Sequence, residues 1–140
     1  MSAVQSQNEQ SQSSLVASAQ GVMKRLEDSW NAADGAGFAE PFAVDADFVA
    51  IRGDLHTGRR AIAEGHQQIF DTIYAGSTVG LQVLQARELE GGVILAHVRG
   101  EIDAPAGPLA GRHAATATVV LVPRGDDLEI AAFHNTLVSG

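Results

Sequence analysis

From Ser77 onward the chain reads as strands and turns only. Residues 78–90, 93–103, 112–123 and 128–138 form four long runs rich in Val, Leu, Ile, Thr and Ala. They are broken by Gly91-Gly92, by a 105–111 stretch holding Pro105 and Pro108, and by Gly125-Asp126-Asp127. Each break carries residues that reverse a chain: glycine reaches positive φ, proline pre-sets φ, and aspartate bonds its own backbone. Long runs joined this way are hairpin partners, so the C-terminal half is committed to one antiparallel sheet. Such a sheet has an apolar face that another layer must cover.

The cover precedes it. Leu15, Ala19, Val22, Leu26, Trp30 and Ala33 recur at helical spacing, with Ser14 as the N-cap and Lys24, Glu27 and Asp28 on the other side. Asp34-Gly35 ends this helix, and residues 37–42 form a short second one interrupted by Pro41. Residues 46–52 read as a strand, Gly53-Asp54 as a turn and Leu55–Thr57 as a brief second strand. Gly58-Arg59 then opens a third helix whose inner face is Ile62, His66, Ile69, Phe70 and Ile73. Helices followed by hairpin-linked strands define an α+β fold with helices on one face of an antiparallel sheet. The expected organisation is a polar tail at residues 1–13, Ser- and Gln-rich and without order of its own, and one domain at 14–140.

Several chemistries are excluded at this level. There is no cysteine, hence no disulfide, thiolate nucleophile or cysteine-ligated zinc. A net charge of −8, with basic pairs only at Lys24-Arg25 and Arg59-Arg60, disfavours phosphate backbones and anionic membranes, so no nucleic-acid or membrane partner is expected. No run approaches a membrane span and the N-terminus lacks a leader pattern, which makes the cytoplasm the expected compartment.

Local phrases then narrow the reading. Trp30-Asn31-Ala32-Ala33-Asp34, Phe42, Asp45-Ala46-Asp47-Phe48 and Gly58-Arg59-Arg60-Ala61-Ile62 resemble, in this order, the NTF2-like (SnoaL-like, cystatin-like) superfamily. His66, Ile69-Phe70 and the closing Ala132-Phe133-His134-Asn135-Thr136 resemble its SgcJ/EcaC group. The resemblance implies a cone of about three N-terminal helices on a curved antiparallel sheet, a pocket between the two layers, and a homodimer. It also implies a setting in bacterial secondary metabolism, with a small apolar or polyketide-like ligand, including those of enediyne pathways.

The group is often called oxidoreductase, but no segment supplies a cofactor site. Gly35-Ala36-Gly37 begins like a dinucleotide fingerprint, yet Glu40 stands where the third glycine belongs and the motif follows a helix, so no cofactor is expected. The histidines at 56, 66, 97, 113 and 134 lack metal-ligand spacing, so no metal is expected. There is no nucleophile elbow. In ketosteroid isomerases the resembling positions carry a carboxylate base and an oxyanion-hole tyrosine; here they hold Ala50 and Leu26, and neither transfers a proton.

What remains is a set of polar groups facing the expected pocket. His66 sits on an apolar helix face, where desolvation lowers an imidazole's pKa; it is the candidate catalytic base, or else a hydrogen-bonded core histidine. Asn135 offers donor and acceptor to a carbonyl ligand, or else ties a strand end. Trp30, Phe48 and Phe70 are the aromatics expected to bind the ligand, with plain core packing as the alternative. His97, Arg99 and Glu101 share one strand face, pointing outward or into a dimer contact, and Arg112, Thr116 and Thr118 lie opposite His113.

Overall fold

The computed structural model describes residues 2–138, with side chains from residue 12 onward. A long helix α1 (Ser2–Asn31) and a short α2 (Gly35–Ala39) lead into strands β1 (Phe42–Val49) and β2 (Leu55–Thr57). Helix α3 (Arg59–Phe70) then crosses to β3 (Thr78–Glu88), β4 (Ile94–Ala104), β5 (Gly111–Arg124) and β6 (Asp127–Leu137). The sheet order is β2-β1-β6-β5-β4-β3. Between β3 and β6 each strand is the hairpin partner of the next, as the turn residues require.

Two expectations need correction. The sheet is mixed rather than antiparallel, because β1 pairs with β6 in parallel. Helix α3 carries the chain from β2 at one edge to β3 at the other, and the hairpins return it so that β6 arrives beside β1 running the same way. Turn chemistry within the hairpins does not govern that closing pair. Second, Ser14 lies inside α1 rather than at its start. Residues 2–13 contain neither Gly nor Pro, so nothing in them stops a helix from continuing.

Smaller shifts have local causes. Asp34 does not close α1 but caps α2, its Oδ1 accepting from Gly37 N at 3.0 Å. Gly35 is where α2 meets α3: a Cβ there would lie 2.6 Å from the Ala63 carbonyl oxygen. Its amide also donates to Gln67 Oε1 at 2.9 Å. The Gly-Ala-Gly segment is thus a helix contact, built for close backbone approach.

Helix α1 buries Ala19, Val22, Met23, Leu26 and Trp30 against the sheet, one stripe at helical period. Its neighbouring polar side chains do something the amphipathic pattern did not anticipate. β3 is an edge strand, and α1 covers its free backbone. Val79 N donates to Asn31 Oδ1 (2.8 Å), Leu81 N to Glu27 Oε2 (3.0 Å) and Val83 N to Gln20 Oε1 (2.8 Å). Gln20 Nε2 returns a bond to Leu81 O at 2.8 Å. Glu27, read as solvent-facing, is therefore part of an edge cover that keeps β3 from pairing with another chain.

Strand parity assigns the two sheet faces. Ile94, Ala96, Val98, Ile102 and Ala104 of β4 are buried beneath the helices, and Ala115, Ala117 and Val119 of β5 join them. His97, Arg99 and Glu101 consequently lie on the outer face, where Arg99 pairs with Thr116 and His97 with Thr118. His113 turns inward, one ring nitrogen bonding Leu109 O at 3.0 Å.

Candidate functional site

The helices do not fill the concave face. A cavity of about 370 Å³ remains between α3, the β1–β2 segment and the inner surface of β4, β5 and β6. That volume lies within the range of small-molecule sites. Val98, Ile102, Ala115 and Ala117 form the sheet wall; Trp30, Phe38, Phe48 and Phe133 form an aromatic end. Arg52 and Asp54, both exposed, stand at the mouth on the turn between β1 and β2.

His66 is the polar centre of the aromatic end and is 3 % exposed. It lies in a cage of rings: Phe38 stacks on it at 4.1 Å, Phe48 meets it edge-on at 4.7 Å, and Trp30 and Phe70 stand at 6.1 and 6.0 Å. Nδ1 lies 2.8 Å from the Ile62 carbonyl oxygen one turn back on α3. A carbonyl only accepts, so Nδ1 carries the proton and Nε2 keeps a lone pair on the side of the cavity that the ring lines. Burial pushes the imidazole down to about 4, against the stabilising bond to Ile62 and helped by the nearby His56. At neutral pH the ring is an uncharged acceptor.

Of the other residues expected at the site, Trp30, Phe48 and Asn135 line the cavity. Phe70 does not. It shares the inner face of α3 with His66 but packs against Trp30, centroids 4.9 Å apart, as a buried core ring one turn farther along. Ala50 lines the cavity with a methyl group, and Leu26 is fully buried in the core. Among the described residues no three His, Asp or Glu side chains converge to hold a metal.

Among the lining residues that escaped sequence reasoning, three bring rings to the cavity from elements without a readable period. Phe38 sits in a helix only five residues long, too short to show a period. His56, on the three-residue β2, lays its ring across α3 at Gly65, where a Cβ would come within 2.9 Å of it. Gly65 in mid-helix costs about 1 kcal/mol relative to alanine, and the room it leaves is taken by His56, 6.5 Å from His66 between centroids. Tyr74 follows α3, eight residues after His66, and lines the cavity beside Trp30 at 5.4 Å. Its hydroxyl is the one buried side-chain polar atom among the described residues with no hydrogen-bond partner. Burial raises its pKa, with Arg52 acting in the opposite sense.

A curved sheet with helices over its concave face and a cavity between the layers is the cystatin-like α+β fold, and solved structures agree. A domain of unknown function from Nostoc punctiforme superposes with a TM-score of 0.77 at 25 % identity, over 91 % of this chain and 79 % of that one. An uncharacterised protein from Caulobacter vibrioides gives 0.79 at 26 % identity, over 90 % and 91 %. Both are described as having a cystatin-like fold. Aln2 from a Streptomyces species gives 0.74 at 16 % identity, over 89 % and 91 %, a likeness of fold alone. No protein-family model and no curated protein matches the sequence.

Proposed function

We propose that this chain is a small-molecule pocket protein of bacterial secondary metabolism, of the SgcJ/EcaC kind, acting on a polyketide-type intermediate by cofactor-independent acid–base chemistry. The observation that carries the reading is His66: a neutral imidazole, buried among aromatic rings, with one nitrogen tied to Ile62 O and the other left for the cavity. An imidazole that is unprotonated at neutral pH and has one nitrogen without a partner can take a proton from carbon next to a carbonyl, an isomerase or cyclase type of step, although its lowered pKa weakens it as a base. The ligand is held by Trp30, Phe48 and Asn135, with Phe70 supporting Trp30. The wider setting, enediyne pathways included, rests on the sequence phrases that resemble that group. The protein works in the cytoplasm as a homodimer whose contact is the outer sheet face, since the helices cover only the concave one.

A second reading has an observation of its own. With Ala50 and Leu26 where isomerases keep their proton-transfer groups, and with His66 stacked on Phe38 like a core ring, the pocket also suits an accessory protein that only holds an intermediate. Deuterium incorporation at the benzylic α-carbon of 2-tetralone in D₂O, followed by NMR, separates the two. The catalytic reading expects acceleration over buffer that falls at least about tenfold in His66→Gln. Binding of the ketone without acceleration by either protein selects the accessory reading.

A further inference from the structure

We propose that Arg52 is the recognition residue of the cavity, and that the ligand is an apolar acid: a carbon skeleton held inside, with a carboxylate at the mouth pairing with the guanidinium. The proposal rests on the reading of the cavity as a ligand site. The exposed lining residues are Arg52, Asp54, Gln68 and Thr72, and they mark where the cavity opens, between the β1–β2 turn and the end of α3. Seven of the nine Lys and Arg side chains pair with carboxylates; among the described residues Arg52 and Arg87 do not. Arg87 is on the edge strand β3 and lines no part of this cavity. Arg52 is thus the cation left without a counter-charge at the mouth. Its charge also reaches inward: burial raises the pKa of the Tyr74 phenol, and Arg52 opposes that rise. Asp54 exerts no such influence, so the mouth favours an anion aimed at Arg52.

The rest of the ligand follows from the walls. The sheet side is aliphatic, the far end is a stack of aromatic rings, and His66 is neutral. A charge carried to that end would lose its water with nothing to replace it, so the anion belongs at the mouth, where it stays partly hydrated. The planar guanidinium offers two parallel N–H donors, which match the two oxygens of a carboxylate. A dianion such as a phosphate monoester is the poorer match. One guanidinium balances one of its charges, while Asp54 and the net charge of −8 repel the other.

The test measures 4-(2-naphthyl)butanoate and its primary amide, the same shape without the charge, by isothermal calorimetry on the full chain at low salt. Trp30 is the only tryptophan, so its indole N–H resonance reports whether each probe enters the cavity. Arg52→Gln should weaken the acid by about fivefold relative to the amide, the upper end for an exposed ion pair. The same preference in the wild type should shrink as salt is added. Arg52→Gln should melt as the wild type does, because the exposed side chain has no ion pair to lose. An acid-to-amide ratio unchanged in Arg52→Gln, with both probes still shifting the Trp30 signal, overturns the Arg52 assignment and leaves the ligand site standing. Tighter binding of 4-(2-naphthyl)butylamine than of the acid also overturns it, since Asp54 would then be the anchor. Absence of a Trp30 shift with all of these probes overturns the ligand-site reading and this proposal with it.

Discussion

Acid should weaken this fold through His66 more than through any ordinary surface histidine. In the unfolded chain the imidazole titrates near 6.5; in the folded protein burial among Phe38, Phe48 and Trp30 holds it down to about 4. Between those values the unfolded state binds a proton that the folded state refuses, so stability is full above pH 6.5 and falls as pH drops toward 4. Linkage puts the loss at about 2 kcal/mol between pH 7.5 and pH 5, approaching about 3 kcal/mol below pH 4. The groups around the ring are Phe38, Phe48, Trp30, Phe70 and His56 and the Ile62 carbonyl, and the charged residues of the cavity, Arg52 and Asp54, stand at its exposed mouth, so no carboxylate lies in the cage to rescue a cation. Replacing His66 by glutamine removes this one titration and keeps the others, so the variant is the internal control. At pH 7.5 it should be less stable than the wild type by about 1–3 kcal/mol, since the amide cannot match the imidazole's bonding. At pH 5 that gap should shrink by about 2 kcal/mol, read from urea midpoints of both proteins at both pH values. Histidine proton NMR gives a direct check. A gap independent of pH, or a His66 resonance titrating near 6.5, would refute the argument.

Light scattering on a size-exclusion column should give the mass of two chains at micromolar concentration; the mass of one chain ends the homodimer proposal. Glu27→Ala should cost about 1 kcal/mol and speed hydrogen exchange at Leu81, because it uncovers an amide of the edge strand β3; unchanged exchange would show that water serves that amide equally well. Gly65→Ala gains helix propensity but places a methyl group within 2.9 Å of the His56 ring. Its stability should therefore stay within about 1 kcal/mol of wild type, while the His56 ring leaves the cavity rim, seen as a changed NMR shift for that histidine alone.

The last four strands were legible because their turns carry Gly-Gly, Pro and Gly-Asp at each reversal, and local turn chemistry is written in adjacent residues. Helix α3 was legible because Ile62, His66 and Ile69 mark one face, and the same spacing pointed His66 inward. With Trp30, Phe48 and Asn135, this brought four lining residues into view before any coordinates. The rest depended on contacts between segments far apart in the chain. Glu27 looked solvent-facing until β3 was seen to be an edge strand with amides to satisfy, 54 residues away. Phe70 fell on the expected helix face, yet a helix face is wider than a cavity mouth, and packing against Trp30 turned it away. His56 and Tyr74 lie on a three-residue strand and past a helix end, where no period exists to show orientation. Local residue order determined which elements form; only the closing of β6 against β1 in parallel, a pairing across the length of the fold, decided what those elements enclose.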